Sequence, residues 1–319
     1  MLRLSLSLLS PAGPGGRLSI LIFHRVLARP DPLFPDIPDV AEFEKKMLWV
    51  RDWFNVVPLA RAADMLPNGT LPSRALAITF DDGYADNEEL AAPILQRLRM
   101  PATFFVSTGF LDGECMWNDR VIEAVRACRS DEIDLGSLGL GRHSLSSAQA
   151  RRGAIDALLR DIKHMEPEQR QASCDGVVEL SGATAQPRLM MRPEQVRSLR
   201  ARGMDVGAHT VTHPILTRVA ASAARDEIGL SKERLEQITG DRIDLFAYPN
   251  GVPAQDYALE HVSMVKQCGF SAAVSTAWGA ASRRSDRFQL PRFTPWDSSR
   301  IRYGARLLGN LRRIEQAAI

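Results

Sequence analysis

The chain has 319 residues, 45% of them hydrophobic and 24% charged, enough apolar material for a substantial core. With 40 basic and 38 acidic residues the net charge is +2, too small to argue for nucleic acid or a charged membrane surface as partner. The four cysteines (Cys115, Cys128, Cys174, Cys268) are widely spaced with no C-x-x-C pair, which fits neither a disulfide framework nor a cysteine-built zinc site and reads as free thiols in a reducing compartment.

The chain opens with MLRLSLSLLSPAGPGG, a short apolar stretch interrupted by serines. A secretory signal has a longer and purer apolar region, so this segment is expected to be a flexible start, with an uncleaved anchor or weak signal as the alternative. No run reaches the ~18 apolar residues needed to span a bilayer. The first candidate strand is LSILIFH (18–24), followed by a helical pattern in AEFEKKMLWVRDWF. A second apolar run, ALAITF (75–80), precedes the helical pattern DNEELAAPILQRLR, in which Pro93 marks a bend. ATFFVST (102–108) is the third run. From about 111 to 190 the rhythm breaks into a long polar segment rich in Ser, Arg and Gln, expected to be a largely helical or irregular insertion. Alternation resumes with RPEQVRSLRARG, a helix pattern with Pro near its start and Gly at its end, then MDVGAH (204–209). A helix over 222–239 stopping at Gly240, DLFAYP (244–249), SAAVST (271–276), RFQLPRF (287–293) and a last helix over 298–316 complete the chain. Seven runs of continuous rather than alternating apolarity suit strands covered on both faces. Their alternation with helices predicts an α/β barrel or doubly wound sheet, built as a single domain over 1–319 with the insertion at 111–190.

Polar groups fall where these runs end: His24, Asp81 and Asp82, His209, and Arg292 in the seventh. In α/β barrels the carboxyl ends of the strands converge on one face, where active sites are built. In ITFDDGYADN two adjacent carboxylates follow a strand directly, and neighbours on an extended chain point apart, so one can bind a cation while the other faces a substrate. An Asp-Gly turn capping the next helix is the structural alternative. GAHTVTHP sets two histidines at i, i+4, on one side of a single turn. Two His and one carboxylate suit zinc or a similar divalent ion, with a position left for water; a pair of hydrogen-bonded turn histidines is the alternative.

TFDDGY, HTVTH and FAYPNG, in that order, resemble the polysaccharide deacetylase family (the NodB-homology fold, carbohydrate esterase family four), over roughly His24 to Arg292 with the 111–190 segment outside it. The resemblance implies a distorted (β/α)₇ barrel and metal-dependent removal of N-acetyl groups from amino sugars. By that resemblance Asp81 is the general base, and Asp82, His209 and His213 are ligands of one divalent metal, zinc first, with cobalt, nickel or manganese as alternatives. The FAYPNG loop matches the motif whose backbone N–H, here that of Asn250, holds the oxyanion. Tyr84, Tyr248, Asn250 and Trp296 are expected at the substrate, and Arg292, with Trp296 and Asp297 beyond it, matches the later motif that supports the base.

Two positions depart from the pattern. Many members carry an Arg where this chain has Ala247, which makes Arg292 the candidate to orient the base. The usual C-terminal Leu-x-His is missing, and nothing around His261 resembles it. ILIFHRV resembles the first motif of the poly-N-acetylglucosamine deacetylase branch, in which the order is rotated, so His24 becomes the candidate general acid. The expected partner is an N-acetylated glycan, as in exopolysaccharide biosynthesis, or a lipid-linked sugar. Trp117 and Trp296 are candidate stacking surfaces or ordinary packing aromatics, and His143 and His164 read as surface residues. Free-looking cysteines favour the cytoplasm, with membrane association possible at its inner face. A deformylase or other C–N hydrolase on a lipid-linked amino sugar, and a catalytically degenerate carbohydrate-binding protein, are the alternative functions.

Overall fold

Nine strands form in the computed structural model, which describes residues 2–112, 115–183, 187–294, 296–313 and 319. They are β1 (Leu18–Phe23), β2 (Asn55–Val56), β3 (Ala75–Phe80), β4 (Thr103–Val106), β5 (Glu132–Leu135), β6 (Gly141–Ser144), β7 (Asp205–Ala208), β8 (Leu245–Ala247) and β9 (Ala272–Val274). The chain divides into two compact units. The first comprises residues 1–28, 38–112 and 191–319, and the second 29–37 and 113–190.

In the first unit a seven-stranded sheet runs in the order β1-β3-β4-β7-β8-β9, with β2 added beside β3. Every pairing is parallel. β1 and β3 are buried at all positions, as continuous apolar runs require when helices cover one face and the sheet curls over the other. Phe23, Phe80 and Phe104 stack from strand to strand at centroid separations of 5.4 and 4.8 Å, contacts worth about 0.5–1.5 kcal/mol each beyond burial.

Six of the seven predicted runs are strands of this sheet. The seventh, 287–293, is not a strand, and β2 takes its place in the count. The physical reason is that its two parts, on either side of Pro291, serve different neighbours: Leu290 exchanges backbone hydrogen bonds with Ala273 and Ser275 beside β9, while Phe293 exchanges them with Ile20 and Ile22 of β1. The segment therefore ties the two outer strands of the curled sheet together. Residues 2–9, expected to be flexible, form the helix Leu2–Leu9, with Leu6 fully buried. It lies on the helix Arg300–Arg312, where Gly304 leaves room for Leu2 and Trp53. The remainder of the predicted last helix, 314–316, lies outside the described residues.

The second unit takes in most of the 111–190 segment. It holds three helices (Trp117–Ala127, Ala148–Lys163, Pro167–Ser181) and an antiparallel β5–β6 hairpin that sequence reading missed. Its own core includes Val121, Ile155, Leu158 and Val177. Residues 29–37, far away in sequence, belong to it: Leu33 joins that core, and Asp31 pairs with Arg126 at 2.7 Å. Trp117 packs against the same core with the Arg170 guanidinium over its ring, so it is a packing aromatic here.

Candidate active site

The polar residues singled out in the sequence gather at the carboxyl ends of β1, β3, β7, β8 and β9. Phe23 pairs with Phe80, and the Asp81 N–H donates to the Phe23 carbonyl at 2.9 Å, which puts His24 alongside Asp81. Asp82 (φ 75°) and Gly83 (φ 92°) both take left-handed backbone. A Cβ added at Gly83 would lie 3.0 Å from the Val106 side chain, closer than ordinary van der Waals contact. His213 (φ 56°) and Asn250 (φ 58°) are left-handed as well. Non-glycine residues rarely hold this conformation, and it concentrates where a site over-determines the backbone.

Asp81 and Asp82 point apart, as expected of neighbours leaving a strand. Asp81 turns to Arg292, whose Nη1 and Nη2 donate to its two oxygens at 2.6 and 2.7 Å. Arg292 also donates from Nε to the Ser275 carbonyl and from Nη1 to Thr79, at 2.9 and 3.2 Å, and is 1% exposed. Asp82 turns to the histidines: its Oδ1 lies 3.4 Å from Nε2 of both His209 and His213.

Burial pushes the Asp81 carboxyl up, but Arg292, His209 and His24 outweigh it and hold it below the usual carboxylate range. The same holds for Asp82, where burial is overcome by the hydrogen bond from His209 and the charges of His213 and His24. Burial works against a charged His209 ring, yet Asp81 and Asp82 raise its pKa. Burial, helped by the repulsion of His209 and His24, brings His213 down to about 4.

The histidine pair is fixed from behind. His209 Nδ1 lies 2.8 Å from the Ala247 carbonyl, which holds a proton on Nδ1 and turns Nε2 toward Asp82. The bend after His209 is bonded by Glu227 of the helix Ala221–Thr239, which accepts from the Val211 and Thr212 N–H groups at 2.8 Å each. The His213 N–H donates to the Thr210 hydroxyl at 3.1 Å. The two rings thus share one side of the chain, 4.8 Å apart, through a bend rather than a helical turn.

The polysaccharide deacetylase family model matches residues 68–273. That span covers most of the chain and includes the carboxylate pair and both histidines. The chain belongs to the polysaccharide deacetylase family. The deacetylase is 22% identical over 278 residues to YxkH of Bacillus subtilis (strain 168), a protein named as a polysaccharide deacetylase, covering 86% of this chain and 70% of that one. The Streptococcus pyogenes deacetylase PplD, solved in complex with acetate, has the same fold with a TM-score of 0.61 at 17% identity, over 93% of this chain and 99% of that one. IcaB from Ammonifex degensii matches with a TM-score of 0.59 at 18% identity, over 93% and 97%.

Members of this family are carbohydrate de-N-acetylases that use a divalent metal. The donor set here fits one. The ligand atoms of Asp82, His209 and His213 all lie within 4.8 Å of one another. Donors around a tetrahedral ion with bonds of ~2.0–2.1 Å stand roughly 3.3–3.4 Å apart, and both Asp82–His separations are 3.4 Å. Among the described residues no other such His/Cys/Asp/Glu group occurs.

The four residues expected at the substrate are placed differently from one another. Tyr84 is buried at 4% exposure, with the Arg25 guanidinium 4.7 Å above its ring. Tyr248 corrects the sequence reading: its ring is fully buried, stacked 3.9 Å from Tyr257, and its hydroxyl donates to the Phe288 carbonyl. The residue follows β8 with its ring in the core, away from solvent. Asn250 sits in the left-handed turn beyond it; its carbonyl accepts from the Thr276 hydroxyl, and its N–H donates to no group among the described residues. Trp296 is 45% exposed and lies between Trp278 and the Arg306 guanidinium. His261 is a buried helix cap that accepts from the Ala258 N–H, His164 is exposed and His143 half-buried. Sequence reading missed Glu227, which carries no motif. Its only signal is a helix starting eight residues after the second histidine.

Proposed function

We propose that this chain hydrolyses the N-acetyl group of an amino sugar in a polysaccharide or glycan precursor, with Asp81 as general base and zinc held by Asp82, His209 and His213. The observation that carries the reading is the division of two adjacent buried aspartates, one gripped by Arg292 and one facing two histidines. Zinc suits a set of two imidazoles and one carboxylate. When bound, it would supply Lewis-acid activation of water and of the acyl carbonyl.

The protein's own groups do the rest. Asp81, kept ionised by Arg292, takes a proton from the attacking water; each carboxylate oxygen has two lone pairs, so the guanidinium leaves one on each free. The Asn250 N–H donates to the developing oxyanion, a contact worth roughly 3 kcal/mol in comparable sites. His24, beside Asp81 and exposed to solvent, gives a proton to the departing sugar nitrogen, because an amine leaves only once protonated. Acetate and a free amino sugar result. The structure of PplD with acetate accords with that product. Trp296, 45% exposed beside Trp278 and Arg306, offers its exposed surface to a sugar ring.

Four free cysteines accord with action in the cytoplasm, at the face of the membrane where lipid-linked sugars are handled. Among the described residues no helix is long and apolar enough to cross a membrane. The test is acetate release from N-acetylated oligosaccharides and lipid-linked sugars. Release that stops with chelator and returns with zinc is expected; a protein that releases no acetate from any of them and takes up no divalent ion overturns the reading.

A further inference from the structure

Three consecutive residues that follow β1, His24, Arg25 and Val26, are gripped by two buried residues that follow the aspartate pair. Asn87 Nδ2 donates to the His24 carbonyl at 2.8 Å. The Arg25 Nε donates to Asp86 Oδ2 at 2.8 Å, and the Val26 N–H donates to Asp86 Oδ1 at 3.3 Å. Asn87 Nδ2 also bonds Asp86 Oδ1 at 3.1 Å, so the two side chains act as one unit. Asp86 is 8% exposed and Asn87 fully buried. Arg25 is pressed from its other side by Tyr84, its guanidinium 4.7 Å over the ring. Asn87 opens a π-helical turn, Asn87–Ala91, ahead of Pro93, and such turns re-aim a side chain at a cost the fold must offset.

We propose that Asn87 and Asp86 are positioning residues that hold the turn after β1, so that the His24 imidazole stands over the carboxylate–histidine cluster when a substrate nitrogen must be protonated. The proposal rests on His24 being the acid. Packing alone does not explain the pair. Asn87 Oδ1 is buried with no partner among the described residues, a cost that an apolar residue of similar volume would avoid. What the amide supplies is its donor, aimed at residue 24. The turn lies at a strand end with an exposed histidine, and the order of a general acid must come from its backbone when its side chain is free.

Substrates with different leaving groups separate this role from a structural one. Amide cleavage needs a proton on nitrogen, whereas an aryl acetate releases its phenolate without one. In the zinc-loaded enzyme, Asn87→Ala is expected to lower kcat on an N-acetylated oligosaccharide roughly 10–50-fold. KM and zinc content should stay unchanged, and hydrolysis of the aryl acetate should fall less than about 3-fold. Asp86→Asn, which preserves shape, should lose in the same selective way but less. Added to His24→Ala, neither change should lower amide turnover further. Equal losses on amide and ester, altered zinc content, or losses that add to those of His24→Ala overturn the positioning role. If His24→Ala itself loses amide and ester turnover equally, the acid assignment fails and the proposal fails with it; selective loss in His24→Ala without selective loss in the other two overturns the positioning alone.

Discussion

Arg292 meets Asp81 with both terminal nitrogens, at 2.6 and 2.7 Å, across 211 residues of sequence and inside the core. The family resemblance leads to the expectation of an arginine at position 247, on β8; here the fork comes from the segment that ties β9 to β1. A lysine cannot reproduce it, because one ammonium cannot bond both oxygens in plane. Arg292→Lys is expected to reduce kcat roughly 10–100-fold, the usual range for residues supporting a metal-site group. The sign of the pH effect also follows. Arg292 holds the Asp81 carboxyl below its usual range against burial, so weakening the pair raises that pKa. The acid limb of kcat/KM should therefore move to higher pH, and a limb that moves down or stays still would separate Arg292 from the base. Arg292→Ala leaves a buried carboxylate unpaired and should cost about 3–5 kcal/mol in a denaturation curve.

Metal uptake should release protons. Asp81 and Asp82 raise the His209 pKa despite burial, which favours a proton on the ring in the metal-free protein, and a ligand must be deprotonated. Zinc affinity should fall as pH is lowered through that pKa, and calorimetry in two buffers of different ionisation enthalpy should show net proton release. Heats that do not depend on the buffer would contradict this charge balance.

Glu227 shapes the metal centre without touching its ligand atoms. Its carboxylate accepts from two N–H groups and the Thr212 hydroxyl in the bend between the two histidines. Glu227→Ala should weaken zinc binding roughly 10-fold in a competition assay against a chelator dye. Glu227→Gln should keep more of it, since one amide oxygen still accepts.

Tyr248 and Trp296 should part company. Tyr248→Phe removes one buried hydrogen bond to Phe288 and is expected to cost about 1 kcal/mol of stability with KM unchanged. Trp296→Ala should raise KM for an oligosaccharide several-fold at constant kcat, the signature of lost uniform binding. The reverse pattern would return the tyrosine to the substrate and leave the tryptophan to packing.

Much of this was legible because burial and chemistry leave strong marks on a chain. Doubly covered strands need continuous apolar runs, and β1, β3, β4, β7, β8 and β9 announced themselves that way. Asp81, Asp82, His209 and His213 stood out because each follows such a run. The 287–293 segment looked the same yet serves two edges rather than one ladder, a tertiary fact that periodicity does not carry. β2 was missed because two residues make no pattern. The strap 29–37 joins the second unit through Leu33 and Asp31, a long-range choice with no local signal. Tyr248 was misplaced because sequence gives a residue's place at a strand end but not the direction of its ring. Arg292 was singled out by its place in the seventh run, by the resemblance of its segment to a later motif and by the missing arginine at Ala247, while Glu227 left no trace beyond its helix.

The division of labour between the two aspartates is the centre of the account, and Asp81→Asn tests it most directly. Zinc content and acetate release are measured on the same purified protein. The variant should bind zinc one-to-one like the unaltered chain while acetate release falls at least roughly 100-fold, the contribution expected of a general base. Full acetate release with zinc bound would show that Asp81 is not the base, and lost zinc would move Asp81 among the ligands.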